Sequence, residues 1–318
     1  MFGGILTVLP LMMIGCDRES GGEADRGDAA QSAAAGPAKR LRLVYPEWSS
    51  EIASAHLFQA VLQERMGYRV ETVPVPVEKM WQEVASGEAD VLTGAWLPTT
   101  HRDYYREYRE ELDDAGANLT GARIGLLVPT VKPGRQTGDA GRTARQLVTI
   151  RSIEELGNTA VRKRFDGRIV GIESSAGVVG RTREALDAYG LKRDYRLVET
   201  DEERMIDRVA DAVNEGEWIV FTGWKPHRIF ESYSLRFLED PKNVFGGEES
   251  IHTMVRSGLE QDMPAAYTVL SRISYEPEDL ERLMRWIHDN GRDEAYEQAV
   301  RWIRMHPGMV DAWVKGQE

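Results

Sequence analysis

Three tryptophans stand where the chain leaves an apolar run of strand length: Trp48 beyond Leu41–Tyr45, Trp96 beyond Val91–Ala95, and Trp224 at the end of Glu217-Trp-Ile-Val-Phe-Thr-Gly-Trp224. An indole face attracts a cation held over it, by about 2 kcal/mol or more once water is excluded. A quaternary ammonium has no N–H to donate, so directed hydrogen bonds to a carboxylate cannot hold it. Aromatic walls can, and three of them would surround its methyl groups. His101, five positions after Trp96, could donate to a ligand carboxylate. The backbone amides of Gly171 and Ile172, or those at a helix start over Ser174–Gly177, could do the same, because helix N-termini favour anions. His227 is the counterpart of His101, but its spacing from Trp224 differs, so it ranks second. Trp81, Trp218, Trp286, Trp302 and Trp313 fall inside helix or strand patterns and read as interior packing.

Two of these tryptophans belong to stretches that say nearly the same thing. Glu88-Ala-Asp-Val-Leu-Thr-Gly-Ala-Trp96-Leu-Pro-Thr-Thr-His101 and Glu217-Trp-Ile-Val-Phe-Thr-Gly-Trp224-Lys-Pro-His227 each pass from a polar turn through an apolar run to Gly, Trp, Pro and His. The Gly-Trp-Pro portion is where the chain leaves the C-terminal edge of a sheet, and ligands of open α/β sheets collect at that edge. The echo extends upstream: Leu41–Trp48 resembles Arg168–Glu173, and Tyr68-Arg-Val-Glu-Thr72 resembles Tyr195-Arg-Leu-Val-Glu-Thr200. The offset is 127 residues between the tyrosines (195 − 68) and 128 between the tryptophans (224 − 96). Matched order and offset indicate a duplicated β-α-β-α-β unit.

The elements that must position the tryptophans follow from periodicity. Leu41–Tyr45, Tyr68–Pro74 and Val91–Ala95 read as strands; a helix capped by Ser49 or Ser50 carries Ile52, Ala55, Phe58, Val61 and Leu62 on one face, and Val77–Ala85 forms another. The charged Arg102–Leu112 segment reads as an exposed helix. Ala122–Pro129 is a candidate crossover strand, and Thr130–Thr149 a polar loop or insertion. The second unit spans Arg168–Trp224, with a helix capped by Ser174 or Ser175 and another starting at Asp201 or Glu202. Ile251–Val255 is the candidate return crossover, and the chain beyond Met263 is helical by period. The expected fold is therefore α/β, with two β-α-β-α-β lobes joined by two crossover strands. Lobe I would comprise 41–128 plus 246–318 and lobe II 129–245, with hinges near Pro129 and Phe245-Gly-Gly.

Composition narrows the class. With 318 residues, 42% hydrophobic and 29% charged, the chain has the make-up of one large or two ordinary globular domains. A formal charge of −12 argues against nucleic acid and against docking on an anionic membrane surface. There is no Gly-x-Ser-x-Gly elbow, glycine-rich phosphate loop or His-Glu-x-x-His helix, so nothing indicates an enzyme, a metal or a cofactor. The one cysteine, Cys16, follows the apolar segment Ile5–Ile14 and a small residue. That is the pattern of a bacterial lipoprotein signal over 1–16, with Cys16 as the lipid-modified N-terminus. Residues 17–40, rich in Gly, Ala, Ser and charge, then read as a flexible tether.

From Leu41 onward the sequence resembles the glycine betaine-binding proteins of ABC-type osmolyte importers. The resemblance rests on Pro46-Glu-Trp48-Ser-Ser-Glu-Ile-Ala-Ser54, Gly94-Ala-Trp96-Leu-Pro-Thr-Thr-His101, Gly171-Ile-Glu-Ser-Ser-Ala-Gly177, Phe221-Thr-Gly-Trp-Lys-Pro-His227 and Phe245-Gly-Gly-Glu-Glu249. It implies a type II periplasmic-binding-protein-like fold, with Trp48, Trp96 and Trp224 as a prism around the trimethylammonium. It also implies that His101 and the amides of Gly171 and Ile172 hold the carboxylate. Choline-binding relatives use an acidic residue in place of those donors, and no clear acidic counterpart to it is seen next to Trp48. The resemblance further implies a monomer that delivers its ligand to a permease and ATPase, on the periplasmic or outer face of the cytoplasmic membrane. Choline, carnitine and dimethylsulfoniopropionate are the alternative ligands, and a sensory lipoprotein without transport is the alternative role.

Overall fold

The computed structural model describes residues 39–130 and 148–317. The expected signal and Cys16, nearly all of the expected tether, and most of the 130–149 loop lie outside the described residues. None of the described helices is long and apolar enough to cross a membrane.

Two β-α-β-α-β units lie along one sheet. The first comprises β1 (Arg40–Tyr45), the helix Ser49–Met66, β2 (Arg69–Pro74), the helix Val77–Ala85 and β3 (Val91–Leu97). A helix at Arg102–Tyr108 leads into the 18-residue strand β4 (Leu112–Pro129). The second unit comprises β5 (Arg168–Gly171), the helix Gly177–Ala188, β6 (Arg196–Glu199), the helix Glu202–Glu215 and β7 (Phe221–Lys225). A short β8 (Leu235–Phe237) and the return strand β9 (Glu249–Arg256) follow. The helices Pro277–Asn290, Ala295–Met305 and Pro307–Val314 close the chain over the first unit.

Strand order is β2-β1-β3-β9-β4-β7-β5-β6, with β8 on β4. The parallel trios β2-β1-β3 and β6-β5-β7 have the same internal order, as a duplication requires. Antiparallel β4 and β9 join them. β4 pairs with β9 as far as Ala122 and with β7 from Arg123, so one strand serves both lobes. The change of partner falls upstream of the 128/129 boundary read from the sequence. The strand also starts at Leu112 rather than at Ala122, because the half-polar stretch ahead of the apolar run is already paired with β9.

Local chemistry explains several boundaries. The Ser49–Met66 helix ends at Gly67, whose φ of +69° lets its own N–H reach back to the Gln63 carbonyl and the Tyr68 N–H to the Leu62 carbonyl. Asp201 caps the Glu202–Glu215 helix by accepting from Arg204 N–H at 2.8 Å. The expected serine caps elsewhere are absent: Trp48 and Ala176 occupy the N-cap positions, with no side-chain cap of their own. β3 is buried along its whole length, as a central strand must be. It carries one extra residue against β9 between Leu92 and Ala95. This bulge explains why Gly94 and Gly223 are offset by 129 residues (223 − 94) but Trp96 and Trp224 by 128 (224 − 96).

Candidate functional site

Trp48, Trp96 and Trp224 line one cavity together with Thr100, Ile124, Ile172, Gly177 and Val178; its empty volume is about 270 Å³. Trp48 precedes the Ser49–Met66 helix, Trp96 is the next-to-last residue of β3, and Trp224 lies one residue inside the end of β7. The tryptophans of β3 and β7 thus sit in the final strand turns rather than beyond them. All three are nearly inaccessible, at 7%, 2% and 3% exposure. The Trp48 and Trp224 ring centroids are 6.3 Å apart at 50°. The lining is almost wholly apolar, which suits methyl groups.

His101 stands beside this cavity, its ring 6.3 Å from Trp48 and 5.9 Å from Trp81. Its Nδ1 accepts the backbone N–H of Trp96 at 3.1 Å, which fixes the proton on Nε2. That Nε2 is buried and has no partner. Burial holds the imidazole down to about 3, so it is a neutral N–H donor at physiological pH. The Leu97–His101 turn is pinned by Glu249, which accepts the amides of Thr99 (2.6 Å) and Thr100 (2.8 Å) and the Thr100 hydroxyl.

Gly171 ends β5, and its carbonyl is taken by Thr200 N–H (3.1 Å) and hydroxyl (2.7 Å); Ile172 lies against the cavity. Gly177 and Val178, the first residues of a 12-residue helix, line the same wall. A Cβ on Gly177 would meet the Thr100 carbonyl at 2.4 Å and His101 Cδ2 at 3.0 Å. Only glycine lets the two lobes approach so closely there.

Four carboxylates near the cavity were not singled out from the sequence. Glu51 accepts the Trp96 indole N–H at 3.0 Å. It occupies the space a Cβ on Gly94 would need, 2.2 Å from its Oε2. Burial pushes its carboxyl up to about 7. Glu173, from the second lobe, accepts the Trp48 indole N–H, and burial raises its pKa. An acidic residue therefore does stand next to Trp48, but in space and on the indole edge. Glu202 accepts Ser49 N–H (2.7 Å) and hydroxyl (2.6 Å) across the lobes and lies 3.0 Å from His227 Nε2. Although burial opposes ionisation, those partners, with His227 foremost, hold Glu202 down to about 2. Glu249 is the fourth. Glu51, Glu173 and Glu249 each fall inside a quoted motif, but the contacts of all four are long-range.

Further bonds cross between the lobes. Arg181 pairs with Asp103, Arg102 with Glu184 at 3.4 Å, and Arg292 with Glu203 at 2.7 Å; the Tyr104 hydroxyl donates to the Ser175 carbonyl at 3.0 Å. The two halves are closed on one another around the tryptophan cavity. Among the described residues no group of His, Cys, Asp or Glu is arranged to hold a metal ion.

A duplicated α/β sheet, two connecting strands and an aromatic cavity at the lobe junction define a two-lobed substrate-binding protein. The chain belongs to the family described as the substrate-binding domain of ABC-type glycine betaine transport systems, whose model matches residues 39–305. It is 38% identical over 151 residues to the glycine betaine/carnitine transport binding protein of Listeria monocytogenes, a match covering 47% of this chain and 50% of that protein. The match thus spans about half the length of this curated relative. Among solved structures, lactococcal OpuAC in its closed, glycine betaine-liganded form is 35% identical with a TM-score of 0.77, covering 87% of this chain and all (100%) of that one. A glycine betaine/L-proline-binding protein of Borrelia burgdorferi is 32% identical with a TM-score of 0.79, covering 88% and 98%. Members of the family are transport substrate-binding proteins rather than enzymes.

Proposed function

We propose that this protein captures glycine betaine, or a closely related carboxylated quaternary ammonium, between its lobes and presents the closed complex to a membrane permease. The carrying observation is that three indoles from both halves line one apolar cavity, beside a neutral His101 whose Nε2–H has no partner. Trp48, Trp96 and Trp224 would face the methyl groups, while His101 Nε2 and the amides of Gly171 and Ile172 would receive the carboxylate. Because Trp48 and Trp96 come from one lobe and Trp224 from the other, the cage is complete only when shut. Ligand therefore binds the closed state better and shifts the population toward it, with the hinge in β4 and before β9. The names of the relatives support the ligand class, and the proteins so named bind glycine betaine in ABC transport.

The protein would work as a monomer outside the cytoplasmic membrane, lipid-anchored through Cys16, with permease and ATPase subunits as partners. Palmitate labelling that persists in Cys16→Ala would remove the anchor. Calorimetric titration of glycine betaine, choline, carnitine and dimethylsulfoniopropionate tests the ligand. Glycine betaine is expected to bind tightest, and choline, without a carboxylate, at least tenfold more weakly. Choline binding as tightly as betaine would overturn the carboxylate assignment.

A further inference from the structure

The indole N–H groups of two cage tryptophans end on buried carboxylates, and this sets them apart from the tryptophans used for packing. Trp96 donates to Glu51 at 3.0 Å and Trp48 donates to Glu173. Trp81, Trp218 and Trp302 instead leave buried indole N–H groups with no partner. In this protein, then, burying an indole does not by itself call for an acceptor. Nor does an indole N–H need a charged one: a neutral amide or carbonyl oxygen accepts it equally well, without the desolvation that a buried carboxylate suffers. Both carboxyls show that strain, since burial raises the pKa of each. Glu51 Oε2 has no partner of its own. A charge held at such a place asks for a compensating cation nearby. Among the described residues no Lys or Arg is recorded against either carboxyl.

The geometry points to Glu51 and Glu173 as an outer counter-charge for the ligand's cation, acting through the edges of Trp96 and Trp48 and selecting positive charge over shape. Neither is expected to touch the ligand; both are positioning residues. A carboxylate on an indole N–H draws the proton outward and enriches the ring face in electron density, which strengthens its attraction for a cation. The charge itself adds a direct attraction that a low-dielectric surround leaves unscreened. The two differ in origin. Glu51 shares the lobe of Trp96, so that wall is polarised before closure. Glu173 comes from the lobe opposite Trp48, so its bond is made only on closing. A cation in the cavity thereby favours the shut state electrostatically, and an uncharged ligand of the same shape does not.

This inference rests on the quaternary ammonium reading, and a pair of ligands separates the two. Glycine betaine and 3,3-dimethylbutanoate share a carboxylate and three methyl groups but differ in nitrogen against carbon. Glu173→Gln keeps an oxygen for the Trp48 indole N–H and removes the charge. In Glu173→Gln the betaine Kd should rise about fivefold to tenfold, while the competition constant of 3,3-dimethylbutanoate changes less than twofold. Glu51→Gln should behave alike. If that variant fails to fold, Glu173→Gln decides alone. Equal losses for both ligands would reduce the carboxylates to packing and overturn the inference. If 3,3-dimethylbutanoate does not compete even with the parent protein, a betaine loss below twofold in Glu173→Gln overturns it, and a larger one with an unchanged melting temperature supports it. Absence of betaine binding by the parent protein would instead sink the ligand reading itself.

Discussion

The two Trp-Pro-His stretches began as one, and the structure puts them to opposite uses. In the first lobe, His101 spends Nδ1 on the Trp96 amide and keeps a buried Nε2–H with no partner. In the second, His227 accepts the Ile229 amide at Nδ1 (2.9 Å), packs edge-on against Trp224 with centroids 4.4 Å apart, and has Nε2 3.0 Å from the Glu202 carboxylate, at ion-pair distance but without hydrogen-bond geometry. Glu202 in turn accepts Ser49 N–H, the first amide of a helix whose own N-cap, Trp48, has no capping side chain. The second histidine thus backs, through its ion-pair contact with Glu202, a clasp in which one lobe caps a helix of the other. What separates the two fates is spacing. Five residues after its tryptophan, His101 lies past a turn that Glu249 anchors; three residues after its own, His227 still lies under the Trp224 ring.

The largest effects should come from removing the walls the stretches share. Trp96→Ala and Trp224→Ala each delete a desolvated cation–π face, at about 2 kcal/mol or more, so betaine Kd should rise at least tenfold in either. The two should fall within about threefold of each other if the walls are equivalent. A Trp224→Ala protein with the parent's calorimetric Kd would remove that residue from the site.

The histidines should then part company. His101→Ala is expected to weaken betaine about tenfold, the usual loss for a hydrogen bond to a charged group, and choline much less. His227→Ala should cost all quaternary ligands the same few-fold, because a clasp is blind to the carboxylate. Similar ligand profiles for the two variants would erase the distinction drawn above.

How much of this was legible beforehand differs by range. The duplicated units, the tryptophans and His101 were visible because each is a local pattern: strand-length apolar runs, a repeated Gly-Trp-Pro, a fixed offset. The expected exposed helix after His101 forms over Arg102–Tyr108, and strand β4 then begins where helix was still expected, since its half-polar alternation gave only a weak signal. The partners of the indoles were hidden. Glu51 reads as an ordinary first-turn acid favouring a helix dipole, and nothing local tells that its carboxyl sits against Gly94. Glu202 likewise reads as a helix start, yet its bonds reach 153 residues away to Ser49. Such residues acquire their roles only when the lobes meet.

Removing the clasp charge alone should have a smaller effect. Glu202→Gln retains an oxygen for Ser49 but gives up the ionised acceptor that His227 and Ser49 hold near a pKa of about 2. Betaine and choline should both weaken about threefold, with a larger unliganded radius of gyration by solution scattering. A radius unchanged alongside unchanged affinities would show that the clasp does not set the lobe equilibrium.

The finest contrast is between two buried carboxyls shifted in opposite directions, Glu202 down to about 2 and Glu51 up to about 7. Glu202 stays ionised across pH 5–8, and its contribution to stability is lost only as pH falls from about 4.5 through about 2. Glu51 runs the other way: its protonated form is favoured in the fold, so its contribution is fully present below about 4.5 and lost as pH rises through about 7. A caged cation favours ionised Glu51, so affinity for betaine should rise a few-fold between pH 6 and 8 while the unliganded melting temperature falls. Against Glu51 lie the Trp96 N–H, Ser50 and the Tyr275 phenol; burial raises that phenol further above its ordinary 10, and His101, at about 3, is neutral throughout. Glu51→Gln should flatten both slopes within that window. A betaine affinity that climbs unchanged with pH in Glu51→Gln would assign the proton to another group, Glu173 being the next against the cage.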